Sequence, residues 1–190
     1  MNTTNIMIVG VGGQGSLLAS KLLGRLLVGD GYDVKVSEVH GMSQRGGSVV
    51  TYVRYGDKVY SPIIDKGEAD FIVSFEMLEA ARYAEFLKPD GKIIVNTQQI
   101  DPMPVITGAM EYPTAALDNL SAAGVSVDAI DALAPAIEAG SSKAVNIVLM
   151  GRLSKSLSIP VEKWLDAISD TVAPKFVEMN KKAFMLGRGE

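Results

Sequence analysis

The chain reads as an α/β protein: a sheet of mostly parallel strands with a β-hairpin insertion and C-terminal helices. Three observations predict this. Short apolar runs end in glycine or a polar residue, as strands buried on both faces do. Between them lie segments whose leucines recur at helical spacing. No repeat, low-complexity tract or linker interrupts the pattern, so residues 1–190 are read as a single domain.

The first element is the strand Ile6-Met7-Ile8-Val9, ending at Gly10. A helix follows from Ser16 to about Val28, marked by Leu17, Leu18, Leu22, Leu23, Leu26 and Leu27. Gly29-Asp30-Gly31 stops it, and Val34 to Glu38 is a second strand, completing a β-α-β unit. The glycine-rich stretch His40 to Gly47 reads as an ordered loop. Ser48–Tyr55 and Val59–Ile64, joined by Gly56-Asp57-Lys58, read as the two arms of a hairpin.

Phe71–Phe75 is a further buried strand, then comes a helix from Met77 to Leu87, a turn at Pro89-Asp90-Gly91 and the strand Ile93-Ile94-Val95 ending at Asn96. Val125–Val127 is a short strand before a helix over Ile130–Ala139. The C-terminal third is helical: Val145–Leu157, an amphipathic helix after Pro160 marked by Val161, Trp164, Leu165, Ile168 and Val172, and a last helix over Phe176–Leu186.

Composition removes whole classes of function. The formal charge is −4 with no basic block, so the footprint of a nucleic-acid binder is missing. No apolar run approaches the roughly 18 residues a membrane span needs, and Met1–Asn5 carries no signal-peptide pattern, so a cytoplasmic protein is expected. The chain holds no cysteine and one histidine, which leaves no thiolate for an iron–sulfur cluster or a nucleophile and no Cys/His zinc site. Any redox chemistry must run through a partner. The hydrophobic fraction of 47% either fills a core or also covers a subunit contact, and the second is favoured.

Two segments concentrate candidate binding groups. Gly10, Gly12, Gly13, Gln14 and Gly15 form a G-x-G-x-x-G turn between strand and helix, the Rossmann-like arrangement. There the second glycine admits a phosphate to the backbone, and the helix start favours an anion. The same glycines also serve a tight turn that binds nothing. Glu38, at the end of the second strand, stands where a ribose-binding carboxylate is expected, or is simply a solvated or loop-pairing group. His40, Ser43, Gln44, Arg45, Gly46 and Gly47 lie on the following loop. Arg45 offers a fork for phosphate or carboxylate there, or pairs with a partner's acid at an interface. No catalytic triad is discernible around the single histidine, and no catalytic or metal-binding residue is assigned to this chain. Gly29-Asp30-Gly31 imitates the start of a thiamine diphosphate motif, but the completing Asn is absent and the glycine ends a helix.

The glycine turn together with Glu38-Val39-His40-Gly41-Met42-Ser43-Gln44-Arg45-Gly46-Gly47-Ser48-Val49 resembles the small subunit of the indolepyruvate branch of the 2-oxoacid:ferredoxin oxidoreductases. The similarity runs on through Ser61-Pro62, Ala69-Asp70, Glu76 to Ala80, Tyr112-Pro113, Asn146 with Gly151, and Glu178 to Phe184. It implies a gamma-type domain in a heteromer. The large subunit would hold thiamine diphosphate, Mg²⁺ and 4Fe-4S clusters, pass electrons to ferredoxin and release acyl-CoA from aryl pyruvates. The small subunit would complete the assembly and take part in coenzyme A approach. The rival reading of the residues is a self-contained NAD- or FAD-dependent oxidoreductase, or a nucleotide-binding module, built on the turn and Glu38.

Overall fold

The computed structural model describes residues 3–38 and 41–190. Six strands form one sheet: β1 (Thr3–Val11), β2 (Asp33–Glu38), β3 (Ser48–Gly56), β4 (Ala69–Ser74), β5 (Leu87–Asn96) and β6 (Ser126–Ile130), in the order β2-β3-β1-β4-β5-β6. The pairs β1·β4, β4·β5 and β5·β6 are parallel, while β3 lies antiparallel between β1 and β2.

The period-two alternation of the strands supplies two cores. Ile6 and Ile8 of β1, with Val53, Val73 and Ile94, face one side; Met7 and Val9, with Ile72, Ile93 and Val95, face the other. The first side is covered by α1 (Ser16–Gly29), α5 (Leu133–Ala139), α6 (Val145–Ser154), α7 (Val161–Thr171) and α8 (Val177–Arg188). The second is covered by α2 (Met77–Tyr83), α4 (Ala116–Ala122) and the chain around Ile64. A short helix, α3 (Met103–Ile106), stands in the connection after β5.

Trp164 is fully buried and stacks on Phe184, ring centres 5.4 Å apart, so the amphipathic stripe of α7 belongs to the core. Gly151 and Gly187 let α6 and α8 touch backbone to backbone. A Cβ on either would fall 2.1 Å from a carbonyl oxygen of the other helix, that of Phe184 or Val148. At Asp30 the end of α1 closes with Gly31 N–H to Val28 O and Tyr32 N–H to Leu27 O, the glycine-terminated pattern expected there.

Three expectations need correction. The hairpin exists, but β3 pairs with β2 across the 39–47 loop, in the register Val36 to Val53, and not with residues 59–64. Both edges of β3 are already taken by β1 and β2, and Pro62 has no N–H to give a ladder. Residues 59–64 instead run as irregular chain that buries Val59 and Ile64. The turn at Pro89-Asp90-Gly91 lies inside β5, where the register on β4 jumps between Ala69 and Phe71. Finally, α2 stops at Tyr83 and tightens into a 3₁₀ turn at Ala84–Phe86, short of Leu87, which already begins β5.

Candidate functional site

The carboxyl ends of β1 and β4 mark the point where successive helices, α1 and α2, depart to opposite faces of the sheet. Open α/β folds place ligands in this crevice. Here it is filled by amides. The Gln14 side chain accepts from Val11 N–H at 2.7 Å and donates to the Phe75 carbonyl at 3.1 Å and to Gln98 Oε1 at 3.2 Å. Asn96 donates to the same Phe75 carbonyl and accepts from Ala132 N–H at 3.0 Å. Gln14 and Asn96 thus tie the ends of β1, β4 and β5 together.

On one side of Gln14 the glycine turn is closed. Gly12 N–H donates to Gly47 O at 2.8 Å, and a Cβ on Gly12 would lie 2.3 Å from Ser43 O and 2.4 Å from the Gln44 carbonyl carbon. The place where a phosphate would approach the second glycine is occupied by the protein's own loop. That loop is a 3₁₀ turn, Met42–Arg45, held by Gly47 N–H to Ser43 O and by the Ser48 hydroxyl on the Glu79 carboxylate. Glu79 is buried on α2 and also accepts from Arg82 Nε at 3.1 Å. Gly10 is equally constrained, because a Cβ there would meet Gln14 Oε1 and Phe75 Cβ.

On the other side the turn is open. Gly13 is exposed at φ +100° with nothing within 4 Å of a built Cβ. Gly15, at φ +90°, caps α1 without any side-chain hydrogen bond to the helix start, and α1 has no acid in its first turn. A cleft of about 560 Å³ opens here, lined by Gly13, Gln14, Gly15, Ser142, Lys143 and Asn146 among others. Asn146, on the buried helix α6, donates to Gly15 O at 3.2 Å and holds the turn against that helix. Among the described residues, no ion pair or side-chain hydrogen bond is made by Arg45 or by Lys143, and both are exposed. Uncapped helix N–H groups beside a free ammonium fit a phosphate.

Glu38 is not part of this site. Because β3 is inserted between β1 and β2, Glu38 stands two strand spacings from β1, roughly 10 Å. Its carboxylate accepts from the Ser20 hydroxyl of α1 and lines a separate groove of about 910 Å³ with Leu17, Lys21 and Val36. The ribose reading assumed that β2 lies next to β1. His40 lies outside the described residues. Ser43, Gln44 and Gly47 cover Gly12, while Arg45 and Gly46 face outward, exposed.

Glu76, between the end of β4 and the start of α2, is a structural residue that the candidate-site reading did not include. It is 1% exposed, caps α2 by accepting from Glu79 N–H at 2.9 Å, accepts from Ile100 N–H at 3.2 Å, and takes the Tyr112 hydroxyl in a short hydrogen bond. Burial and this carboxylate push the Tyr112 phenol well above its ordinary range. Glu76 is therefore a clamp that holds Ile100 and Tyr112 of the connection after β5 against the start of α2. Its position at a strand end before a helix was the signal of a cap.

The strand ends thus present an amide-filled crevice between β1 and β4, flanked by an open cleft at the start of α1. The sequence profile of the pyruvate ferredoxin/flavodoxin oxidoreductase family matches residues 5–190, and the chain belongs to that family. It is a small subunit of the 2-oxoacid:ferredoxin oxidoreductase type. It is 44% identical, over 98% of its length and 95% of the relative's, to the indolepyruvate oxidoreductase subunit IorB of Thermococcus kodakarensis. The subunit of the same name from Archaeoglobus fulgidus is 40% identical over 96% of this chain and 92% of the relative. Among solved structures, the pyruvate oxidoreductase subunit PORC of Thermotoga maritima superposes with a TM-score of 0.74 at 20% identity, covering 100% and 97% of the two chains. The 2-oxoglutarate:ferredoxin oxidoreductase of Magnetococcus marinus, solved with 2-oxoglutarate, coenzyme A and succinyl-CoA, matches with TM-score 0.74 and 21% identity. All of this chain corresponds there to 31% of a longer one.

Proposed function

We propose that this chain is the small subunit of a thiamine-diphosphate-dependent indolepyruvate:ferredoxin oxidoreductase, working in a heteromer that decarboxylates aryl pyruvates to acyl-CoA. The observation that carries this reading is the 44% identity over nearly the whole chain to subunits named for indolepyruvate. The residues agree with the division of labour. A chain without cysteine offers no thiolate to a cluster, which suits 4Fe-4S clusters on the large subunit; thiamine diphosphate, Mg²⁺ and the contact with ferredoxin are assigned there with them, as the family resemblance implies.

Coenzyme A, when bound, supplies the thiol that receives the acyl group. The part of this chain suited to one of its phosphates is the open half of the glycine turn: Gly13, the uncapped start of α1 and Lys143. Gly10, Gly12 and Gln14 act behind it, holding the turn and the loop in place. Arg45 supplies a second unpaired cation on the same end of the sheet. In the assembled complex, Lys143→Ala is expected to raise the KM for CoA roughly tenfold, with kcat and thermal stability nearly unchanged; about 1.4 kcal/mol of lost binding corresponds to that factor. An unchanged KM for CoA would remove the phosphate assignment. Arg45→Ala should impair CoA-dependent turnover or assembly more than folding, since among the described residues no ion pair or hydrogen bond uses that guanidinium.

A further inference from the structure

A second cleft, of about 540 Å³, adjoins the open half of the glycine turn and shares Leu18, Lys143 and Asn146 with it. Leu18 follows Gly15 by about one turn of α1, so the two clefts lie side by side along the start of that helix. Their chemistry differs. Leu18, Val172, Phe176 and Met179 make the second cleft apolar, and among the described residues Lys143 is the one charged side chain that lines it. Phe176 stands in the corner between α7 and α8 and is 45% exposed, which leaves its ring open to a ligand. Lys175 Nζ, 4.9 Å from the centre of that ring, adds positive charge beside it.

Two polar atoms in these walls are not used by the protein. Asn180 on α8 is only 6% exposed; its Nδ2 donates to Phe176 O at 2.8 Å, and among the described residues nothing donates to its Oδ1. Thr171, the last residue of α7, has its Oγ1 buried with no hydrogen-bond partner. An acceptor and a donor left unpaired in an apolar wall oppose folding unless something in the cleft completes them. Adenine presents that complement on one edge, an amine donor at N6 beside a ring-nitrogen acceptor. Guanine offers two acceptors on the corresponding edge and would leave Asn180 Oδ1 unmatched.

We infer that this cleft takes the base of an adenine nucleotide whose phosphate rests on Gly13, the start of α1 and Lys143. Asn180 Oδ1 accepts from the N6 amine, Thr171 supplies the donor for a ring nitrogen, and Leu18, Phe176 and Met179 cover the base. This rests on the phosphate reading above and adds which part of the ligand enters and what reads it. The same chemistry is offered by the phosphorylated ADP end of CoA and by a free adenine nucleotide.

Calorimetric titration of the assembled complex with CoA, ADP, IDP and 4′-phosphopantetheine tests this. ADP should bind the wild-type complex about tenfold more tightly than IDP, whose base carries a carbonyl in place of the N6 amine. That comparison depends on no variant. Phe176→Ala should weaken CoA and ADP by about tenfold and leave 4′-phosphopantetheine unchanged, while Lys143→Ala should weaken both CoA and ADP. If Phe176→Ala weakens ADP and not CoA, the base site stands as one for a free nucleotide and the CoA source falls. If IDP binds as tightly as ADP and Phe176→Ala changes neither ligand, while Lys143→Ala still weakens CoA, the base site is overturned and the phosphate reading survives. If neither variant weakens any of these ligands, both fall.

Discussion

Gly12 and Gly13 are adjacent, yet the structure uses them in opposite ways. Gly12 is sealed under the Ser43–Gln44 backbone, closer than any side chain would permit. Gly13 stands in the open with a left-handed backbone and no neighbour. One motif therefore contains a packing half and a solvent-facing half, divided by the Gln14 side chain that plugs the crevice. A G-x-G-x-x-G string fixes a tight turn before a helix. Whether a ligand or the chain's own loop fills the space above it depends on residues some thirty positions away.

Substitutions at these neighbours break or sharpen the contrast. Gly12→Ala should have the largest effect: its methyl cannot coexist with the Ser43–Gln44 peptide, so the loop must lift, at a cost of roughly 3 kcal/mol. Chemical denaturation read against wild type checks this, and increased proteolysis within residues 41–47 should accompany it. Gln14→Leu comes next. It leaves Val11 N–H without its acceptor and removes one donor to Phe75 O, costing about 2 kcal/mol in the same assay. Gly13→Ala should be milder, about 1 kcal/mol, because only the left-handed backbone opposes it. Should Gly13→Ala destabilise as much as Gly12→Ala, the division of the turn would be wrong.

A remote ion pair provides a reference with a known pH signature. Asp128 on the edge strand β6 sits between Arg152, which binds it in a fork at 2.8–3.0 Å, and Lys92 at 3.0 Å. Burial alone would raise its pKa, but Arg152 and Lys92 outweigh it and hold the carboxyl below its usual value. Its contribution is thus complete above the unfolded pKa of about 3.9 and disappears as the pH falls through the lower folded value. Asp128→Asn should cost about 1 kcal/mol at neutral pH, and the difference from wild type should shrink below about pH 4. The Gly12→Ala deficit, which involves no titrating group, should show no such convergence.

Much of the fold was legible in the residues. Ile6–Val9, Phe71–Phe75 and Ile93–Val95 are apolar on both faces, and the leucines of α1 and the Trp164 stripe of α7 carry a clear helical period. Strand order was not, because periodicity reports which face is buried and never which strand is next. That single gap placed Glu38 beside the glycine turn and gave β3 the wrong hairpin partner. Val59–Ile64 has strand-like composition, but only Val59 and Ile64 bury, as isolated pegs, while Tyr60 and Ile63 stay exposed. The glycine turn, Asn146 and the ordered 42–47 loop could be located in advance. The roles of Gly12, Gly151 and Gly187 could not, since each depends on a contact distant in sequence. The Glu76–Tyr112 clamp was hidden for the same reason, being 36 residues apart.

The central claim is that this chain has no redox chemistry of its own and acts only within a complex. It is tested most directly by assaying the purified small subunit alone and with its large subunit, using indolepyruvate, CoA, thiamine diphosphate, Mg²⁺ and a low-potential electron acceptor. The account predicts CoA-dependent turnover from the complex and none from the isolated chain. Stoichiometric NAD binding with hydride transfer by the small subunit alone would contradict it and restore the glycine turn as the seat of a dinucleotide.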